Sequence, residues 1–276
     1  MNWAEGALEG VGGLRLYRQA WVPDGDARAT VVLVHGVSEH SSRYHHVAAR
    51  LVADGHAVHA LDHRGHGRSQ GPRALIDRMD NAVADLHALV EATASAHPNV
   101  PVVMLGHSMG GLVAVCFALK HQERLSGLML SAPLAALEAA SPATRLAARV
   151  LSAVTPGLGI VGIDSALISR DPEVVRTYDA DPLVFHGKLP ARTVFELEHA
   201  VRSLPPRVRA IHLPTLIMYG SADRLCPPAG SLGLRDCIGA QDKTLKVYDG
   251  LYHEIFNEPE HERVLEDVCA WLRERV

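Results

Sequence analysis

Several common sequence features are absent from this chain of 276 residues. No apolar run reaches the roughly 18 residues that a transmembrane helix needs. Residues 1–6 have neither the basic start nor the apolar stretch of a secretory signal. We therefore expect a cytoplasmic protein, and peripheral contact with membranes is left open.

Cysteine is scarce and widely spaced. The four cysteines form no C-x-x-C pair: Cys116, Cys226, Cys237 and Cys269. Such spacing suggests neither a disulfide framework nor a zinc site. Free thiols in a reducing compartment are the plain interpretation.

A strong charge of one sign is also missing. The formal net charge is −4 and no long basic run occurs, which argues against a nucleic-acid partner. Nothing indicates an obligatory protein partner. Eight of the 17 histidines lie between residues 35 and 66, but none pair four residues apart with a glutamate between them. We therefore expect no metal site.

Buried strand patterns alternate with helical patterns over most of the chain. Continuous apolar runs predict strands at residues 30–36, 57–62, 102–107 and 127–133. Apolar residues at helical spacing predict helices at residues 44–53, 79–96 and 112–121. This alternation predicts an open, mostly parallel α/β sheet.

The alternation stops after residue 133. Residues 134–206 contain helix-like pieces but no convincing buried strand, and Pro156-Gly157-Leu158-Gly159 and Pro205-Pro206 punctuate the region. Strand patterns then resume twice, and an amphipathic helix closes the chain. We predict a core domain made of residues 1–133 and 207–276, with residues 134–206 as a helical insertion over the strand ends.

The sequence Gly106-His107-Ser108-Met109-Gly110 joins a predicted strand to the helix that follows. It is the G-x-S-x-G pattern, in which a sharp strand-to-helix turn exposes a serine nucleophile. The glycines remove side chains that would collide there, and the backbone of the nucleophile is expected to be strained. Ser108 is therefore the candidate nucleophile.

A serine hydroxyl needs a base, and the base needs an acid that orients it. In this type of fold, nucleophile, acid and base follow one another along the chain, each after a strand. Asp223 follows the predicted strand at residues 214–220, and His253 follows the next one. Asp249 is a rival acid, but it lies beside the loop of the base and would have to fold back. The predicted triad is Ser108, Asp223 and His253.

Two backbone N–H groups are candidates for an oxyanion hole. The sequence His35-Gly36-Val37 follows an early strand, where glycine allows a sharp turn. We predict that the N–H groups of Val37 and Met109 stabilise the tetrahedral intermediate. Loss of one such donor typically raises the barrier by roughly 3–4 kcal/mol.

These motifs jointly resemble those of the monoacylglycerol lipases of the α/β-hydrolase superfamily. The motifs that carry the resemblance span nearly the whole chain: His35-Gly36-Val37-Ser38-Glu39-His40 with Arg43-Tyr44, residues 62–69, residues 106–111, residues 169–172, Tyr178 with Asp181-Pro182-Leu183, residues 220–226 and residues 241–253. The resemblance implies an α/β-hydrolase fold with helices on both faces of the sheet and a helical cap. It places the family's triad and oxyanion donors on the residues predicted above.

The resemblance also implies a reaction. The family hydrolyses the single ester of 1- or 2-monoacylglycerols to fatty acid and glycerol, without a metal or an organic cofactor. Glu39 and Tyr178 would shape the glycerol-accepting end of the site, with a purely structural hydrogen-bonding role as the alternative. Ser38 departs from the family, which more often has glycine there. Cys226 matches a cysteine of mammalian members and is expected near the acyl pocket.

Alternative functions use the same residues. A broader carboxylesterase or a lysophospholipase would need the same triad, because substrate choice depends on the shape of the insertion. A lipid-binding protein without turnover would be favoured by a missing triad member, and none is missing. The apolar face of residues 146–154 could contact a lipid surface through the cap or pack on the core.

Overall fold

The computed structural model describes residues 1–137 and 142–276. Residues 138–141, which belong to the predicted insertion, lie outside the described residues. The strands are β1 (Asn2–Glu9), β2 (Arg15–Val22), β3 (Thr30–Val34), β4 (Ala57–Leu61), β5 (Val102–His107), β6 (Gly127–Ser131), β7 (Gly159–Val161), β8 (Leu189–Pro190), β9 (Thr215–Gly220) and β10 (Lys243–Tyr248). The helices are α1 (His45–Ala53), α2 (Met79–Ala96), α3 (Met109–His121), α4 (Pro142–Val154), α5 (Pro172–Ala180), α6 (Ala191–Arg207), α7 (Pro228–Cys237) and α8 (His261–Arg273).

A central sheet of eight strands has the order β1-β2-β4-β3-β5-β6-β9-β10. The strands from β4 to β10 in this order are parallel to their neighbours, whereas β2 is antiparallel to both β1 and β4. The predicted mostly parallel α/β sheet is confirmed. Strands β7 and β8 form a separate small antiparallel pair within the segment predicted to be an insertion.

Helices cover both faces of the sheet. Successive side chains of a strand point to opposite faces, and β3 shows the division. Val32 and Val34 pack in a cluster with residues of α2, α3 and α6. Val31 and Leu33 pack in a second cluster with residues of α1 and α8. The two clusters form the two halves of the hydrophobic core, one on each side of the sheet.

The edge strand β1 was not predicted. Most of its residues are exposed, so it has neither an apolar run nor a clear alternation. It forms because its whole length pairs with β2, from Asn2 opposite Val22 to Glu9 opposite Arg15. Backbone pairing of this kind leaves no signal in the pattern of apolar residues.

Pro205 and Pro206, which punctuate the predicted insertion, both lie within the last turn of α6. A proline lacks the N–H that continues a helix and normally weakens it. Burial of one face of α6 against the core outweighs that cost through Leu197, Ala200, Val201 and Leu204. The division into core and insertion stays a prediction, and α6 is the element that ties the two together.

Helix α4 turns apolar side chains outwards. Leu146, Val150 and Val154 lie on one side of the helix and are 63%, 52% and 74% exposed. This face therefore does not pack on the core. None of the helices in the two described ranges is both long and apolar enough to cross a bilayer.

Candidate active site

The turn at Ser108 has the strained geometry that its sequence predicts. Ser108 lies between β5 and α3 with φ 54° and ψ −121°, a conformation that costs free energy for any residue with a side chain. A Cβ on Gly110 would lie 2.1 Å from the carbonyl oxygen of Val34, and a Cβ on Gly106 would lie 2.6 Å from that of Gly110. Only glycine fits at these two positions.

The candidate acid and base are in direct contact. Asp223 follows β9, and its Oδ2 lies 2.8 Å from Nδ1 of His253. Asp223 Oδ1 accepts hydrogen bonds from the N–H groups of Leu225 and Cys226, at 2.9 Å each. These bonds fix the carboxylate that orients the imidazole.

The rival acid lies elsewhere. Asp249 is exposed, and its carboxylate accepts a hydrogen bond of 3.0 Å from the hydroxyl of Ser221. Asp223 therefore holds the position that orients His253, as the order of the residues along the chain suggested.

The surroundings of His253 favour its protonated form. Burial lowers the pKa of this imidazole, but the hydrogen bond and charge of Asp223, together with the charges of Glu254 and Glu39, outweigh it. The resulting pKa lies above the ordinary 6.5. Above that pKa the ring is neutral, and Nε2 is free to accept a proton because Nδ1 is bound to Asp223.

Ser108 and His253 line the same cavity. Eight of its other lining residues are apolar and come from residues 134–206: Leu134, Leu137, Val161, Ile163, Ile168, Leu189, Val194 and Leu197. Cys226 also lines it, with Sγ 3.9 Å from Oγ of Ser108. Burial raises the pKa of the Cys226 thiol, which therefore stays protonated at neutral pH.

The two predicted oxyanion donors lie at the ends of neighbouring strands. Val37 follows β3 and lines the cavity, and Met109 is the first residue of α3. Within the described residues, neither N–H donates a hydrogen bond to a protein acceptor. Both donors are thus available to a ligand, which is the condition that an oxyanion hole requires.

Glu39 is held by its own loop. Its Oε1 accepts hydrogen bonds from the N–H of Gly36 and the hydroxyl of Tyr44, at 2.5 and 2.7 Å, and its Oε2 accepts one from Arg43 at 2.9 Å. These contacts match the structural alternative noted for Glu39. Tyr178 is buried, lines the cavity and stacks under the guanidinium of Arg43. Substrate-binding roles for Glu39 and Tyr178 stay predictions.

The serine that departs from the family pattern has an unusual backbone. Ser38 has φ 67°, in the left-handed region that favours glycine. Its side chain is buried, and its hydroxyl has no hydrogen-bond partner among the described residues. The preference for glycine at this position therefore has a conformational reason.

Comparison with known proteins agrees with this geometry. A family model described as serine aminopeptidase, S33, matches residues 25–260. The chain is 46% identical over 270 residues to the monoacylglycerol lipase of Mycolicibacterium smegmatis, covering 98% of this chain and 96% of that protein. It is 37% identical to the monoglyceride lipase of Rattus norvegicus, covering 96% of this chain and 88% of that protein. The chain belongs to the monoacylglycerol lipase family of S33 serine hydrolases.

A solved member of this family shares the fold. The crystal structure of the monoacylglycerol lipase of Paleococcus ferrophilus superposes with a TM-score of 0.86 at 31% identity, covering 95% of this chain and 99% of that one. The α/β-hydrolase fold and the family resemblance predicted from the sequence are both confirmed.

Arg43, which belongs to the motifs of the resemblance, and Glu254, which directly follows them, are assigned no role by the sequence. Arg43 and Glu254 form a buried ion pair next to His253, with Nη1–Oε1 and Nη2–Oε2 distances of 2.6 and 2.7 Å. The sequence signals were that Arg43 belongs to a motif of the resemblance and that Glu254 directly follows the base. A glutamate in a loop is usually solvated, so the sequence alone did not identify this pair.

Proposed function

We propose that this protein hydrolyses monoacylglycerols to fatty acid and glycerol. In this proposal Ser108 is the nucleophile, His253 the general base and Asp223 the orienting acid. The observation that carries it is the contact of 2.8 Å between Asp223 and His253 at a cavity that they share with a serine on a strained turn. The relatives named monoacylglycerol lipase support the substrate.

The reaction would proceed by acyl transfer in two steps. Oγ of Ser108 forms a bond to the ester carbonyl carbon, and its proton passes to Nε2 of His253. The N–H groups of Val37 and Met109 stabilise the oxyanion. The glycerol oxygen leaves with the proton from His253, and water then attacks the acyl-enzyme by the same route and releases the fatty acid.

The shape of the cavity supports a substrate with one acyl chain. Its volume is about 230 Å³ and its walls are mainly apolar. Pockets for small molecules commonly hold about 300–1,000 Å³, so this one is narrow for a lipid with several chains. The walls contributed by residues 134–206 support the proposal that this segment is a cap over the core.

Initial rates on a panel of substrates test this function. The panel is monooleoylglycerol, a triacylglycerol, lysophosphatidylcholine and a short nitrophenyl ester, each measured with the parent and with Ser108→Ala. We expect the highest kcat/KM on monooleoylglycerol and a loss of roughly 10⁴-fold or more in the variant.

Other outcomes separate the alternatives. Turnover of only the short ester or of the lysophospholipid would indicate a broader carboxylesterase or a lysophospholipase with the same triad. Equal rates for the parent and Ser108→Ala would contradict the mechanism.

We also propose that the insertion contacts membrane surfaces transiently. The apolar side chains of Leu146, Val150 and Val154 are exposed on α4, beside the exposed Arg149. Leu137 and Val161 are exposed as well, and both line the cavity. An apolar surface that includes the rim of the cavity would let a lipid enter without crossing water.

A flotation assay tests the membrane contact. We expect the parent to float with liposomes of mixed anionic and neutral lipids, and Val150→Glu/Val154→Glu to remain in the soluble fraction. Both proteins should hydrolyse the short nitrophenyl ester equally, since the two positions do not line the cavity. Failure of the parent to float would contradict this proposal and leave the catalytic one intact.

A further inference from the structure

A buried ionic cluster lies beside the proposed triad. The guanidinium of Arg43 binds Glu254 through two hydrogen bonds and Glu39 through a third, at 2.6, 2.7 and 2.9 Å. The side chains of Arg43, Glu39 and Glu254 are only 10%, 4% and 7% exposed. Charges buried this deeply are retained only when geometry and further hydrogen bonds compensate for their desolvation. The hydrogen bonds among these three side chains therefore hold a charged cluster inside the site.

The cluster joins two catalytic loops. On one side, Oε1 of Glu39 accepts a hydrogen bond from the N–H of Gly36, the residue directly before the oxyanion donor Val37. On the other side, Glu254 directly follows His253, and its carboxylate also accepts a hydrogen bond of 2.7 Å from the side chain of Asn257. Arg43 thus connects the oxyanion loop to the loop of the base through side chains alone.

The same loop of the base is held by the insertion. The N–H of Glu254 donates to the carbonyl oxygen of Ile168, at 2.8 Å. The carboxylate of Glu258 accepts hydrogen bonds from the N–H and from Nε of Arg170. Glu254 is consequently fixed from both sides, which limits the positions available to His253.

The cluster also carries charge. Burial raises the pKa of Glu254, but the charge and hydrogen bonds of Arg43 more than offset this rise and lower the pKa to about 2. This carboxylate is therefore ionised throughout the working range of pH. The pKa of Glu39 moves the other way, because burial raises it and the opposing effect of Arg43 is smaller. Glu254 is therefore the carboxylate of the cluster whose ionised form its surroundings favour.

Tyr44, which donates to Glu39, and Tyr178, whose ring lies under Arg43, face the cluster directly. Burial raises the pKa of both hydroxyls, so they stay uncharged. On the side of the triad the cluster is faced by Asp223 and by His107, whose ring centroid lies 4.7 Å from that of His253.

His107 adds no positive charge that would offset the negative charge of Glu254. Burial, and then the neighbouring His253, lower the pKa of His107 to about 3, so this ring is neutral when the enzyme works. The groups that bear charge around His253 are therefore Asp223, Glu254, Glu39 and the cation of Arg43. Their sum favours the imidazolium.

We propose that Glu254 is a positioning residue for the base. Through Arg43 it fixes His253 relative to the oxyanion donor Val37, and its charge stabilises the imidazolium formed when the proton of Ser108 moves to Nε2 of His253. This inference rests on the proposed function, since it requires His253 to be the general base.

The pH profile of kcat/KM for Glu254→Gln tests the role of charge. The substitution keeps the shape of the side chain and removes one negative charge near His253, so the imidazolium is less favoured. We expect the midpoint of the acid limb to move to lower pH by roughly half a unit to one unit. We expect kcat on the plateau to fall by roughly tenfold, with little change in KM.

Three further variants separate charge from geometry. Glu9→Gln removes the same charge from the exposed edge strand β1 and should leave the midpoint in place. Glu254→Asp keeps the charge and should restore the midpoint. Arg43→Lys keeps the charge of the cluster but loses the planar bidentate contact with the carboxylate of Glu254. It should lower kcat with the midpoint almost unmoved.

Specific results would overturn the inference. An unchanged midpoint in Glu254→Gln, with lowered thermal stability alone, would leave Glu254 as a packing residue. Full kcat in Arg43→Lys would contradict the positioning role. If Glu254→Gln does not fold, the kcat of Arg43→Lys still decides the positioning role, and Glu39→Gln, which removes a carboxylate from the same cluster, replaces it in the test of the midpoint. Failure of the parent to hydrolyse any ester is a different result and would contradict the proposed function itself.

Discussion

The two walls of the cavity are held by different interactions. In the catalytic wall the carboxylates of Glu39, Asp223 and Glu254 each accept three hydrogen bonds. The opposite wall comes from residues 134–206, the proposed insertion, and consists largely of apolar side chains. Hydrogen bonds and ion pairs are directional, whereas apolar contact depends mainly on buried area. We therefore expect single-atom changes to be severe in the catalytic wall and mild in the insertion.

The largest expected effect comes from Asp223→Asn, which changes a single atom of the catalytic wall. The amide cannot hold His253 in the orientation and protonation state that the carboxylate imposes. A change of this kind in a serine hydrolase lowers kcat by roughly 10⁴-fold. Initial rates on monooleoylglycerol measure it.

Asp249→Asn is the matched control for that change. Asp249 lies in the neighbouring loop but is exposed, and among the described residues its carboxylate is bonded to Ser221 and not to His253. The initial rate of this variant should stay within about twofold of that of the parent. Substitutions of exposed polar residues usually change the free energy of unfolding by no more than about 0.5 kcal/mol. A loss in Asp249→Asn equal to that in Asp223→Asn would contradict the assignment of the acid.

The next effect concerns the turn that supports Ser108. In Gly110→Ala the new Cβ would meet the backbone oxygen of Val34 at 2.1 Å, and backbone cannot move aside cheaply. We expect the free energy of unfolding to fall by at least about 3 kcal/mol, measured by urea unfolding.

Gly233→Ala is its counterpart outside the site. Gly233 lies within α7, and a Cβ there would meet nothing within 4 Å. Replacing a helical glycine by alanine should raise the free energy of unfolding by about 1 kcal/mol. Similar losses in both variants would show that the turn at Ser108 is no more restrictive than an ordinary helix.

The sequence predicted those parts of the site that lie at strand ends. Ser108, Asp223 and His253 each follow an apolar run, and parallel strands bring such ends to one edge of the sheet. The parts that escaped prediction depend on contacts between distant segments. The pair of Arg43 and Glu254 is separated by 211 residues, and no local pattern distinguishes it from two solvated side chains.

For the fold, too, local patterns were predictable and long-range contacts were not. Helix α2 has the bounds that its apolar spacing predicted, because one face is buried along its length. Strand β1 was missed, because its pairing with β2 leaves no pattern of apolar residues. Pro205 and Pro206 continue α6 because packing on the core overrides their local preference. Local sequence predicts an element when its burial is regular and fails when a distant partner stabilises it.

The pH dependence should separate activity from stability at the catalytic wall. The pKa of His253 is raised above 6.5 in the folded protein, and only the neutral ring accepts the proton of Ser108. The acid limb of kcat/KM should therefore have its midpoint above pH 6.5. A midpoint below that value would contradict the electrostatic account of the site.

The stability contributed by the same group has the opposite dependence. Because the folded protein favours the imidazolium, this contribution is fully present below the ordinary pKa of 6.5 and is lost as pH rises through the raised pKa. Urea unfolding across that interval should show stability declining while kcat/KM rises. In Asp223→Asn the decline should be much smaller, since the main partner of the imidazolium is gone.

The smallest effect is expected at Ser38, whose hydroxyl, unlike the carboxylates of the catalytic wall, makes no hydrogen bond among the described residues. Ser38 lies beside Val37, yet it has a positive φ and a buried hydroxyl without a partner among the described residues. Ser38→Gly relieves both costs, and the added freedom of glycine in the unfolded chain offsets part of the gain. We expect a net stabilisation of about 1 kcal/mol in urea unfolding, with kcat retained. Ser38→Ala removes the hydroxyl but keeps the strained φ, so it should gain less. Equal stability of the two variants would show that the unpaired hydroxyl, and not the backbone, is the main cost at this position.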